Sequence, residues 1–120
     1  MIGGFDVRIP TAMGKHAIEI AIRAIQRNWP GAVFENASTA DRYDHIEEIP
    51  FGRLDEIFVY RDSRAFEAWD SEGAIPELAN TMIHILFDPG LLTLVFDEVD
   101  DSNKELIDTV RADLEDVSLF

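Results

Sequence analysis

Apolar and charged residues alternate along Phe5-Asp6-Val7-Arg8-Ile9, the period of two that a strand shows when one side meets a core and the other meets water. Pro10 ends that strand, and Thr11 offers a cap for the helix that follows. From there the period changes. Lys15, Glu19, Arg23, Gln26 and Arg27 recur as a polar stripe at helical spacing, while Met13, Ala17, Ile18, Ile20, Ala21, Ile22, Ala24 and Ile25 fill the remaining girth. This pattern predicts a helix buried on most sides, stopped by Asn28-Trp29-Pro30-Gly31. Residues 32–36, with Val33 and Phe34 between turn formers, predict a second strand, and a polar stretch occupies residues 37–50. A third strand is predicted over residues 54–61, centred on Ile57-Phe58-Val59-Tyr60.

Asp62 or Ser63 caps the next predicted helix, which carries Ala65, Phe66 and Trp69 and is interrupted at Gly73. It restarts near Pro76, and the spacing of Leu78, Ala79, Met82, Ile83, Leu86 and Phe87 predicts that it runs to residue 87. Asp88-Pro89-Gly90 marks a turn, residues 91–99 a fourth strand, and Ser102-Asn103-Lys104-Glu105 a capping box. Leu106, Ile107, Val110 and Leu114 form the apolar stripe of the last helix.

The predicted order is β-α-β-β-α-β-α, an α+β arrangement. Over residues 5–99 that order resembles the ferredoxin-like βαββαβ plan with an additional C-terminal helix. The resemblance implies a four-stranded antiparallel sheet with the first two helices on one face, and with Ile20, Ile83 and Leu94 in the core. The plan hosts many unrelated activities, so it carries no function by itself.

At 120 residues, residues 1–120 suit one α+β domain with a core that needs no covalent help. Cysteine is absent, which removes disulfides, thiolate metal sites and thiol nucleophiles. Residues 1–10 contain no basic segment leading into an apolar stretch, and the longest near-apolar run, residues 91–96, is far shorter than a bilayer span. The expectation is a cytoplasmic protein without membrane partners. The net charge is −14, and it is uneven: +1 over residues 1–40, −7 over 41–80 and −8 over 81–120. Such a field opposes a phosphate backbone, so nucleic acid is not an expected partner.

No phosphate-binding loop, paired-histidine zinc helix, nucleophile elbow or dinucleotide fingerprint is present, so neither a cofactor nor a metal is expected. Two acidic clusters remain. Asp41, Asp44, His45, Glu47 and Glu48 place an imidazole among four carboxylates in a loop, a set that suits a divalent cation or a general base. Their spacing matches no calcium or zinc pattern, and a solvated loop explains them as well. Asp97, Glu98, Asp100 and Asp101 lie where the fourth strand meets the last helix. Carboxylates on alternate strand positions there could converge on a metal, but stabilising the helix N-terminus, or meeting a basic partner, is the favoured reading.

The third strand is apolar on both sides at its centre, with Phe58 and Tyr60 on one and Ile57 and Val59 on the other. If helices cover one face of the sheet, one of these pairs is left on the other. The expected function is therefore a small acidic protein-interaction module without catalytic activity, acting as a homodimer or on a basic protein. An inhibitor or immunity-type protein that sets carboxylates where phosphates would bind is its sharper form. The alternative is a small-molecule enzyme with a pocket over the sheet, using His45, Asp44 or Glu47, with Tyr60 or Trp69 in the wall.

Overall fold

The computed structural model describes residues 5–12, 14, 16–73, 76–96 and 101–118. Six strands form one antiparallel sheet: β1 (Phe5–Pro10), β2 (Val33–Asn36), β3 (Arg42–Tyr43), β4 (Glu56–Tyr60), β5 (Met82–Asp88) and β6 (Leu91–Phe96). Their spatial order is β1-β6-β5-β4-β2-β3. Three α-helices accompany them: α1 (His16–Asn28), α2 (Ser63–Glu72) and α3 (Asp101–Ser118). The α+β class holds. The four-stranded ferredoxin-like arrangement does not, because the sheet has six strands in a different order.

The largest departure is residues 82–87, expected as helix and found as β5. Five of the six residues 82–87 are apolar and fit either period, so hydrophobicity alone cannot separate helix from strand there. The turn decides it. Pro89 and Gly90 alone separate β5 from β6, and Asp88 faces Leu91 across the hairpin. Gly90 sits at φ 86°, the positive φ that a turn with proline before it demands of its next residue. A helix ending at Phe87 would leave Leu91–Phe96 without this neighbour, whereas the hairpin pairs every residue from His84 to Asp88.

The second departure is β3, which lies in the stretch expected to be only polar. Asn36 creates it: its side-chain oxygen accepts the N–H groups of Ser38 and Thr39, and its carbonyl accepts that of Ala40. The chain reverses, and Phe34 then faces Tyr43. The third is the start of α1. Gly14 at φ 63° accepts the Ala17 N–H and leads into the helix, while the Thr11 N–H bonds to Gly90.

α1 and α3, not the first two helices, cover one face of the sheet. Ile18, Ile22 and Ile25 of α1 join Leu106, Val110 and Leu114 of α3 in one cluster with Phe34, Ile57, Val59, Ile83, Ile85, Leu92, Leu94 and Phe96. Ile20, Ile83 and Leu94 are buried as expected. Arg27 and Asp113 close the helix pair with an ion pair at 2.6 Å. α2 is capped by Asp62, whose carboxylate accepts the Ala65 N–H at 2.8 Å, and ends at Gly73 with φ 75°. It packs at the end of β4, where Trp69 donates to the buried Thr81 hydroxyl at 2.9 Å. Among the described residues no helix is long and apolar enough to cross a membrane.

Candidate functional site

Strand alternation resolves which half of the third predicted strand faces outward. Ile57 and Val59 are fully buried beneath α1 and α3, so Phe58 and Tyr60 occupy the other face. Register extends that face across the whole sheet. One row runs Arg42, Glu35, Phe58, His84, Val95, Asp6, from β3 to β1. The next runs Glu56, Leu86, Thr93, Arg8, and the row beyond it Asp88, Leu91, Pro10. On the opposite side of the first row lie Val33, Tyr60 and Met82.

Cover on this face is local. Phe66 of α2 meets the Tyr60 ring edge-on at 5.0 Å between centroids, and the Arg42 guanidinium lies 4.8 Å from the Phe66 centroid. Tyr60 is buried by this contact and donates its hydroxyl to Glu35 at 2.9 Å. Burial pushes the Tyr60 phenol well above its ordinary range, and the Glu35 bond and the charges of Glu35 and Asp70 push it further. Away from α2 the face is only half-buried. Phe58, Met82, His84, Leu86, Leu91 and Val95 all keep contact with solvent, and no described helix packs over them.

His84 stands at the centre. Its ring lies 4.5 Å from that of Phe58, tilted by 31°, and its Nε2 is hydrogen-bonded to Glu56. A helical His84 has no such partners; the strand brings together residues 28 apart in sequence. These two contacts could have been found only by recognising the Pro89-Gly90 hairpin, since β5 carries no alternation of polar with apolar residues. The charges around the apolar centre are few. Asp6 offsets Arg8 at 3.9 Å and Asp44 offsets Arg42 at 2.9 Å. With histidine counted neutral, Glu35, Glu56 and Asp88 are left as the unbalanced charge.

The acidic loop does not gather into a site. Asp41 accepts the Thr39 hydroxyl, Asp44 pairs with Arg42, and Glu48 accepts the N–H groups of Asp44 and His45. His45 and Glu47 are exposed. A cleft of about 350 Å³ between α2 and residues 76–78 is lined by Arg61, Arg64 and Glu77 among others, and one of about 230 Å³ lies beside His16 and Phe51. Asp44, His45 and Glu47 line neither. Of the second acidic cluster, Asp101 opens α3, and Asp97, Glu98 and Asp100 lie outside the described residues. Among the described residues no three His, Asp or Glu side chains group as metal ligands would. Comparison of the chain with protein-family models, with curated proteins and with solved structures finds no match, so geometry and charge carry the functional reading.

Proposed function

We propose that this chain is a protein-interaction module that carries out no reaction of its own and holds a cationic protein surface against the open face of its sheet. The observation that carries the reading is a half-buried apolar centre, Phe58, Leu86, Leu91 and Val95, whose unbalanced charges are all negative. A second copy on this face would set Glu35, Glu56 and Asp88 against the same three carboxylates, and repulsion between desolvated like charges opposes it. A partner with basic residues around an apolar patch offsets them instead. The net charge of −14 adds a long-range field that speeds its approach. A basic protein whose own site takes phosphate groups is the sharper form of this partner.

Two synthetic amphipathic peptides test the reading, one alternating Lys with Leu and the other Glu with Leu, labelled for fluorescence anisotropy. The Lys/Leu peptide binds and loosens as salt rises; the Glu/Leu peptide does not bind. Phe58→Ser removes the central ring without changing charge and weakens the Lys/Leu peptide about tenfold, the effect of losing roughly 1.4 kcal/mol of apolar burial. Equal binding of both peptides, or no effect of Phe58→Ser, overturns the proposal.

A further inference from the structure

The sheet has two free edges, and they differ. β3 is two residues long, too short to template another strand, whereas β1 is six residues long and has no neighbour on its outer side among the described residues. Edges are commonly protected by charges of one sign, which repel an approaching copy of the same strand. β1 carries two charged residues of opposite sign, Asp6 and Arg8, placed symmetrically about Val7. Read in the antiparallel direction, apolar-acid-apolar-base-apolar is its own complement.

We infer that β1 pairs antiparallel with β1 of a second copy of this chain, on a twofold axis through Val7. In that register Asp6 of each copy faces Arg8 of the other, so two cross-strand ion pairs form, and each Val7 faces the other Val7. The groups are in place for it. Asp6 and Arg8 pair with each other at 3.9 Å, and their side chains are 47% and 68% exposed. Val7 packs against the core yet is only partly buried, because among the described residues no strand lies beyond it at the edge. Pro10 has no N–H and ends the pairing segment, leaving residues 5–9 to form the ladder.

Directly opposed residues of an antiparallel ladder point the same way, so both helix layers fall on one side of a continuous twelve-stranded sheet. Both open faces fall on the other. Self-association through the edge therefore leaves the docking face free and presents it twice, and the pairing stands or falls independently of what that face binds.

Charge exchange tests the register by sedimentation velocity of the full chain. Asp6→Arg alone sets like charges opposite one another and weakens the dimer at least tenfold, and so does Arg8→Asp alone. Mixing the two variants restores association as a heterodimer, since each now supplies the charges the other lacks. Because the chain has no cysteine, Val7→Cys gives a second readout: under oxidation it forms a disulfide-linked dimer, the opposed positions lying within disulfide reach. Phe58→Ser leaves both results unchanged. A wild-type chain that sediments as a monomer, single charge variants that dimerise like the wild type, or a mixture that fails to recover association overturns the inference.

Discussion

The two faces of β5 both carry large apolar side chains but differ in circumstance. Ile83, Ile85 and Phe87 are sealed under α1 and α3, whereas Met82, His84 and Leu86 keep contact with water one residue away on the same backbone. The same holds in β6 for Leu92, Leu94 and Phe96 against Leu91, Thr93 and Val95. An antiparallel sheet covered on one side is expected to show polar residues on the other, and here β4, β5 and β6 keep apolar ones in contact with solvent. That apolar area lies outside the core sealed by α1 and α3.

Equivalent truncations on the two faces give the largest test of that difference. Ile85→Ala empties a fully buried position and costs about 3 kcal/mol in urea unfolding, whereas Leu86→Ala costs less than about 1 kcal/mol. Equal losses would mean that something seals the second face and would remove the contrast. Next in size is the boundary between covered and uncovered parts of the open face, set by α2. Asp62→Ala removes the cap of that helix, costs about 1 kcal/mol, and shifts Trp69 fluorescence as its bond to Thr81 loosens. An unchanged Trp69 signal would show that α2 is held by its side chains alone.

Much of the covered face was legible in the sequence, and most of the open face was not. The stripes of α1 and α3 announce themselves, because a helix with one wet side writes its period into the chain, and Leu106, Ile107, Val110 and Leu114 are buried as that period requires. β4 could be recognised as a strand from Ile57 to Tyr60, though not which of its sides was covered, since both are apolar. β5 was hidden for the same reason in stronger form: where neither face is polar, no alternation remains to read, and the two-residue turn at Pro89-Gly90 was the only local sign. β3 was hidden because its pairing comes from the Asn36 turn, not from its own two residues. The pairing of His84 with Glu56 inherits the misreading of β5, and the acidic clusters stood out in sequence only because charge is conspicuous there.

A smaller effect measures how wet the open face is. In a double-mutant cycle, Glu56→Gln with His84→Gln returns a coupling of about 0.6 kcal/mol, the range of pairs that water can reach. A coupling of several kcal/mol would place the pair in a dry environment and contradict the half-open face.

Tyr60 gives the smallest effect at neutral pH and the sharpest check on where cover ends. Tyr60→Phe removes its bond to Glu35 and costs about 0.5 kcal/mol, the low end for a hydrogen bond, because Glu35 stays within reach of water. In the unfolded chain the phenol loses its proton near pH of about 10, whereas in the folded protein burial under Phe66, helped by Glu35, holds the proton to higher pH. The unfolded state therefore binds fewer protons above that pH, and the part of the stability owed to Tyr60 is present below about pH 10 and lost as pH rises beyond it. Phenylalanine has no proton to lose in either state. Urea unfolding of wild type and Tyr60→Phe should then show the gap between them closing from pH 8 to pH of about 10 and reversing in sign by pH of about 11, while Tyr43 and the lysines, common to both proteins, cancel. A gap that stays constant would place Tyr60 in water and move the edge of the open face out to β2.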